Sequence, residues 1–418
     1  MIPAVNAVRA GRQNRVAILE AVQRAEAISR SRLVAATGLT PPTITNAVRE
    51  LIDLRLLCPT GQLAPRPQAT AGAPSALLGL DRSWHRVLSV HQGVTLLRLG
   101  LHDIAGTVLA ERELPAVAGE PASATVERVA AAVRDLCQAE MVRLEQVRGL
   151  GVGAVGLVDP ESGAVRAAPN IRWSDVPLGP WLESALGRPV VVRNNVHGMA
   201  AGEVRFAGLP ERDAVYVYVG TGIGSGIITD GRVRDGAHGA AGEIGHLIVP
   251  DGGPCTCGKV GCLETIAAEP AIERRAAAVL GRGRRGRSHK GAVSELVKRA
   301  RGGDGGACAV LIEVAESLGQ ALAQAVEILD PGAVILNGLI AEAGPIVLEP
   351  MSAAMHRSAF AVRGRSLTVR EASFGRQAGM VGAATLALDA FVFNPEADLF
   401  ADRSEGTVGA RRASPARR

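Results

Sequence analysis

Three cysteines, Cys255, Cys257 and Cys262, lie within eight consecutive positions of Pro-Cys-Thr-Cys-Gly-Lys-Val-Gly-Cys-Leu-Glu (254–264). Thiols this close can share a divalent metal, and zinc is the ordinary occupant of a thiolate-rich set. Zinc favours four ligands, so the spacing leaves one position to be filled from elsewhere. A fourth protein ligand would close the site and make it structural. A water there would make it a place for hydrolytic chemistry. A reduced thiol cluster without metal is the remaining alternative. The other three cysteines, Cys58, Cys137 and Cys308, are scattered. A disulfide framework is therefore not expected. The chain reads as cytoplasmic, with no secretory signal and no apolar run of membrane-spanning length.

Positive charge collects elsewhere. Residues 1–80 hold nine arginines, no lysine and four acidic residues, a balance of +5 that equals the +5 of all 418 residues. A polyanion is thus expected to meet the first eighty residues alone; solvated surface arginine is the plainer alternative. Within 14–57, Val16, Leu19 and Val22 recur at helical spacing and predict a first helix. Ser29 is placed to cap a second that turns Leu33 and Ala36 inward. Gly38 gives a tight turn, and Thr40 with Pro41 opens a third helix whose buried stripe is Ile44, Val48 and Leu51. This is helix-turn-helix spacing, with a three-helix packing module as the alternative. The third helix would enter a major groove. Thr43, Thr45 and Asn46 face outward near its start, and Asn46 could pair bidentately with adenine. Arg49 and Arg32 suit the phosphate backbone. Residues 58–81 read as a Pro- and Gly-rich hairpin wing with Arg66 near its tip. Operator DNA carrying an inverted repeat is the expected partner.

From about Trp84 the pattern becomes strand and helix in alternation. Residues 86–114 give two apolar runs and a return strand after Gly106, followed by a helix near 124–140. Buried strands are expected in 147–165 and 189–195, and two strands flank a glycine turn in 213–233. A long helix then leads to a strand at Ala333–Leu336 and a second glycine turn. Two glycine turns in such a pattern point to an α/β body of two lobes with a cleft between them. The division expected is 1–80 for the DNA-binding domain and 81–394 for the body, with lobes at about 81–197 and 198–394. Residues 395–418 lack a periodic apolar face and read as a disordered basic tail. The basic run at 281–292 reads as a solvated loop.

Gly-Thr-Gly-Ile-Gly-Ser-Gly-Ile (220–227), Glu243-Ile-Gly-His246 and the cysteine motif ending in Glu264 together resemble the ROK family of repressors and sugar kinases. The resemblance runs from about residue 14 to 390. It implies an actin/hexokinase-like two-lobed α/β body behind a winged helix-turn-helix, assembled as homodimers or homotetramers. It also supplies His246 as the fourth ligand, which closes a structural zinc site with Cys255, Cys257 and Cys262. A zinc-bound His246 would keep its other ring nitrogen protonated and free to donate into the cleft. Carried over residue by residue, Asn194, Asn195, Glu243, His246 and Glu264 surround a sugar. Amides and carboxylates suit hydroxyls that both donate and accept. On the residues alone, Glu243 could be a surface acid and Asn194–Asn195 a turn.

ROK kinases keep Asp-x-Gly-Gly-Thr after the first strand of the body, where this sequence reads His91-Gln92-Gly93-Val94-Thr95. The acid is lost, and Val94 obstructs the close backbone approach that glycine allows. The family's catalytic Asp is Asn195, which takes no proton at neutral pH. His197 is a poor substitute base, and Asn337 stands where nucleotide-binding members tend to have Gly. The sequence therefore predicts no enzyme. It predicts a regulator, a repressor in most of the family, answering to a sugar or sugar phosphate. A sugar kinase with an unusual base is the alternative function, and ATP turnover with a hexose would mark it. A DNA-bound architectural protein with a ligandless body is the third, and would show no thermal shift with any sugar.

Overall fold

The computed structural model describes residues 7–64, 76–117, 119–281 and 291–400. They form two compact units, one built around the first 86 residues with 103–107 and the residues from Leu388 onward, the other from Val87–His102 and Val108–Ala387.

In the first unit, helices α1 (Ala7–Ala25), α2 (Arg30–Thr37) and α3 (Pro41–Asp53) precede strands β1 (Leu57–Leu63) and β2 (Ala76–Leu80). Val16, Ile18, Leu19 and Val22 from α1 meet Leu33 from α2 and Ile44, Ala47, Val48 and Leu51 from α3 in a shared apolar centre. Ser29 Oγ caps α2 by accepting from Arg32 N at 3.4 Å, and Gly38 ends it with φ 69°. Thr40 occupies the N-cap position of α3, but its hydroxyl bonds Thr43 Oγ1 at 2.9 Å instead of a backbone amide. Ala36, expected inward, is exposed, because α2 has only eight residues and Leu33 fills its one contact with the core. β1 and β2 pair antiparallel, and Ile28 adds a bridge to Leu78, as a wing should. Arg66 and the wing tip lie outside the described residues.

The tail corrects the sequence expectation. Disorder was expected from residue 395, yet Ala397 and Phe400 are buried and Glu396 pairs with Arg12 at 3.5 Å. Two apolar anchors and the ion pairs of Glu396 with Arg12 and with Arg9, the latter at 3.6 Å, order a short segment that needs no periodic face. Residues 401–418 are outside the described set.

The second unit begins with β3 (Arg86–Gln92), β4 (Leu96–Asp103), β5 (Val108–Pro115), α4 (Ala122–Ala139) and β6 (Val147–Ala154). A small sheet of β7 (Leu157–Val158), β8 (Val165–Ala168) and β9 (Trp173–Val176) follows, then α5 (Leu178–Leu186) and β10 (Val190–Asn194). The first large sheet runs β10-β6-β3-β4-β5, with β10 parallel to β6 and β4 antiparallel to β5. α6 (Asn195–Phe206) leads to β11 (Ala214–Val219), β12 (Ile223–Thr229) and β13 (Arg232–Arg234). After α7 (Glu264–Ala267), α8 (Glu269–Val279), α9 (Ala292–Arg301) and α10 (Gly305–Leu329) come β14 (Ala333–Gly338), α11 (Pro345–Ser358), β15 (Thr368–Glu371) and α12 (Ala378–Phe391). The second sheet runs β13-β12-β11-β14-β15.

Alternation along β11 explains the layering. Val215, Val217 and Val219 enter one core with α8 to α11, while Ala214 and Tyr216 enter another with Val196, Met199 and Ala200 of α6. α12 carries the chain back to the first sheet, where a Cβ on Gly151 would fall 2.0 Å from the Ala383 carbonyl oxygen. α10 is long and apolar enough by length and composition to cross a membrane, a run the sequence reading had not registered. Leu311, Val314, Ala315, Leu318 and Leu322 bury its apolar side in the core instead.

Candidate functional site

Residues 248–262 double back as a tight loop, with antiparallel bridges Ile248–Cys262 and Pro254–Val260. Gly258 and Gly261, with φ of 92° and 97°, supply the left-handed turns that this requires. His246 ends a single 3-10 turn just before the loop. One donor atom each from His246, Cys255, Cys257 and Cys262 come within 4.8 Å of one another. Cys255 Sγ is 3.8 Å from His246 Nδ1, and Cys257 Sγ is 3.7 Å from Cys262 Sγ. A tetrahedron with metal–sulfur bonds of about 2.3 Å has sulfur–sulfur edges of about 3.8 Å, so the donor set fits a closed zinc site. Burial and the neighbouring Cys257 and Cys255 thiols push Cys262 up to about 12. Three thiolates cannot share so small a space without a cation to offset them. Nε2 of His246 faces away from the sulfurs, 3.9 Å from Glu243 Oε2.

A cleft of about 150 Å³ opens beside this loop, and Asn194, Asn195, Glu243, His246 and Glu264 all line it. Each is held by a different device. Asn194 closes β10 and caps α6, its Oδ1 accepting from Val196 N at 2.8 Å and His197 N at 3.3 Å. Its Nδ2 donates to the Gly156 carbonyl at 2.9 Å, which leaves one N–H for a ligand. Asn195, the first residue of α6, is buried and has no side-chain partner among the described residues. Glu264 Oε1 accepts from Ile223 N at 2.6 Å. It fits there because a Cβ on Gly222 would lie 2.4 Å from that oxygen, and one on Gly245 2.9 Å from its Cγ. Burial pushes both Glu243 and Glu264 above the usual carboxylate range.

Sequence reasoning missed Asn170 and Thr221, which also line the cleft. Asn170 sits in a 3-10 turn, Pro169–Ile171, and its Oδ1 accepts from Thr256 Oγ1 at 3.4 Å. An isolated Asn in a turn carries no spacing signal.

The positions of a phosphotransferase are occupied differently. His91 lines the cleft, and burial with the charge of Arg98 lowers it to about 4. An imidazole so weakly basic is a poor proton acceptor at neutral pH. Its ring lies against α12, where a Cβ on Gly379 would come within 2.5 Å of it, and its buried Nδ1 has no partner among the described residues. Val94 lines the cleft beside it. His197 does not line the cleft: its ring nitrogens meet Asp235 Oδ1 at 3.3 Å and the Ala241 carbonyl at 2.9 Å. Asn337 is buried beneath the second turn, donating to Tyr216 Oη at 2.7 Å and accepting from Gly338 N at 2.8 Å.

His91 makes stability depend on pH. Its imidazole takes a proton below about 6.5 in the unfolded chain and below about 4 in the folded one. Between those values the unfolded state binds more protons, so stability falls as pH falls, by up to about 3 kcal/mol across the window. His91→Asn should flatten the decline between pH 6.5 and 4 relative to wild type, measured by urea unfolding. Parallel pH profiles for the two chains would show that the ring is not buried in neutral form.

In the first unit, Arg32, Thr45, Asn46 and Arg49 are exposed and Thr43 half-exposed. The α3 groups are already paired locally. Thr45 Oγ1 donates to the Pro41 carbonyl at 2.9 Å, and Arg49 donates to Asn46 Oδ1 at 2.9 Å. A bidentate contact from Asn46 would need Arg49 to swing away, most readily toward a phosphate.

Residues 87–390 match the ROK family. The xylose repressor of Caldicellulosiruptor bescii is 26% identical over 395 residues, covering 92% of this chain and 97% of that one. The crystal structure of a ROK family transcriptional regulator, a homolog of the E. coli MLC protein, superposes with a TM-score of 0.75 at 28% identity and covers 91% of this chain and 97% of its own. A ROK family glucokinase from Streptomyces griseus, crystallised with glucose and AMPPNP, gives 0.64 at 35% identity and covers 73% of this chain and 99% of its own. The regulators thus extend along this chain further than the kinase, by about the length of its N-terminal module. The His/Cys cluster, the two-lobed body and the winged helix agree with these matches: the chain belongs to the ROK family.

Proposed function

We propose that this chain is a cytoplasmic transcription regulator, a repressor in the first instance. It binds operator DNA through α3 and answers to a sugar in the cleft without transferring phosphate. One observation carries the reading. Hydroxyl-pairing groups converge in a cleft whose would-be base is Asn195 and whose phosphate turn holds His91 and Val94. Repressor relatives aligned along nearly the whole chain support it.

Asn195, Glu243, Glu264 and the one free N–H of Asn194 pair the ring hydroxyls. His246 donates from Nε2 while Nδ1 faces the thiols. Zinc on His246, Cys255, Cys257 and Cys262 supplies no chemistry beyond fixing that tautomer and the loop. Sugar binding then favours one arrangement of paired DNA-binding domains in a homodimer or homotetramer. DNA affinity changes only as far as the ligand distinguishes the two arrangements.

DNA binding provides the test. Arg32→Ala and Arg49→Ala should weaken binding to upstream DNA containing an inverted repeat and lower the salt slope by about 1 each. Asn46→Ala should cost about 1–3 kcal/mol at one base position and relax its specificity. Gel-shift titrations at several salt concentrations read both. Wild-type protein with no salt-sensitive binding to such DNA would refute the regulator.

The match to a glucokinase favours a second reading, a sugar kinase with altered catalytic residues. A coupled ADP-release assay across hexoses separates the two, since turnover near 1 s⁻¹ is ordinary enzyme behaviour.

A further inference from the structure

We infer, on the reading of the cleft as a sugar site, that its ligand is an uncharged sugar and not a sugar phosphate. The charged carboxylate, lysine and arginine side chains that line the cleft are all of one sign. Glu243 and Glu264 line it, and no lysine or arginine does so among the described residues. Three thiolates around a divalent ion would leave the adjoining Cys255–Cys257–Cys262 cluster with one net negative charge as well. The remaining polar groups of the lining, Asn194, Asn195 and Asn170 among them, are neutral.

The cations that act on the cleft from outside are already engaged. Lys259 Nζ donates to the His246 carbonyl at 3.0 Å. Arg98 pairs with Glu113 at 2.8 Å and donates to the Arg376 carbonyl at 2.8 Å. Arg193 pairs with Asp235 at 3.4 Å. Beyond Gly93, Val94 and Asn170, which the cleft shares with a second cavity of about 270 Å³, stands Arg172. That side chain is exposed, and Glu120 lines the same cavity, so Arg172 offers a solvated charge and not a phosphate clamp.

Hydroxyls donate well to carboxylates, whereas a phosphate dianion offers only acceptors at neutral pH and would face two carboxylates across a few ångströms. Repulsion of that kind, at the effective dielectric of a half-buried site, weakens binding by about tenfold or more.

Calorimetric titration of the full-length, zinc-loaded chain tests this. The probes are common pentoses and hexoses, each paired with its 1-phosphate and its terminal phosphate. An uncharged sugar should bind, and its phosphates should bind at least about tenfold more weakly, with a wider gap at low salt where repulsion is less screened. Glu243→Gln should narrow that gap. A phosphate binding as tightly as its parent sugar overturns the inference while the sugar site stands, and so does a gap indifferent to salt and to Glu243→Gln. If no probe of either kind binds, the sugar site itself is refuted and the inference falls with it.

Discussion

Cys262→Ser should leave the protein with little or no zinc, falling from one ion per chain to near zero by elemental analysis. The side chain is fully buried, so a serine there cannot be replaced by solvent or by another ligand. A hydroxyl is a far weaker zinc donor than a thiolate, and the ligands must otherwise repel one another across about 3.7 Å. Sugar affinity should fall in step, by roughly 10–100-fold, the ordinary consequence of disturbing a metal shell. The coupling is covalent and short: Glu264 lies two residues beyond Cys262, and His246 belongs to both the donor set and the cleft lining. The body should also melt at lower temperature, because binding energy at a structural zinc site is folding energy. His246→Ala should give the same pair of losses with less damage to the core, since that ring is partly exposed. A full zinc complement in Cys262→Ser would refute the donor set.

Much of this arrangement was legible in sequence because its signals are local. Capping residues, a Pro at the start of α3 and an apolar repeat every three or four residues define the N-terminal helices without any long-range information. Alternation marks β11, and three closely spaced cysteines mark a candidate metal site. The fourth ligand was not legible from spacing, since His246 precedes the cluster by nine positions, and only the family resemblance supplied it. The cleft was harder still. Asn194 and Asn195 read as a turn because a strand end and a helix cap look alike in one dimension, and here Asn194 is both. The direction of the His197 side chain was not legible either. One helical step beyond the cleft, its ring turns away to Asp235 and the Ala241 carbonyl, and no local pattern encodes that direction. Asn170 reaches the cleft from a turn with no periodicity at all. Tertiary placement decided each of these, and short-range patterns carry little of it.

Glu264→Ala should abolish measurable sugar binding, a loss of at least about 100-fold, with zinc content unchanged. Two effects combine. The variant removes a carboxylate from a lining in which hydroxyls are proposed to be paired one by one, and such sites penalise an unpaired group strongly. It also strips Ile223 N of its acceptor at the turn where Gly220 N bonds the Gly222 carbonyl at 2.9 Å. A buried amide without a partner costs about 1–3 kcal/mol, so the Gly-Thr-Gly turn should loosen as well. Glu264→Gln separates the two effects. Its side-chain carbonyl can still accept from Ile223 N and hold the turn, while the charge that strengthens a hydroxyl contact is gone. Stability should then return near wild type, with sugar affinity recovering only in part. Gly222→Ala supplies the converse, leaving the carboxylate in the chain but driving a methyl to within 2.4 Å of Oε1 and displacing it. That chain should bind sugar about as poorly as Glu264→Ala. Wild-type affinity in Gly222→Ala, by the same calorimetric titration, would mean that the ligand never touches Glu264.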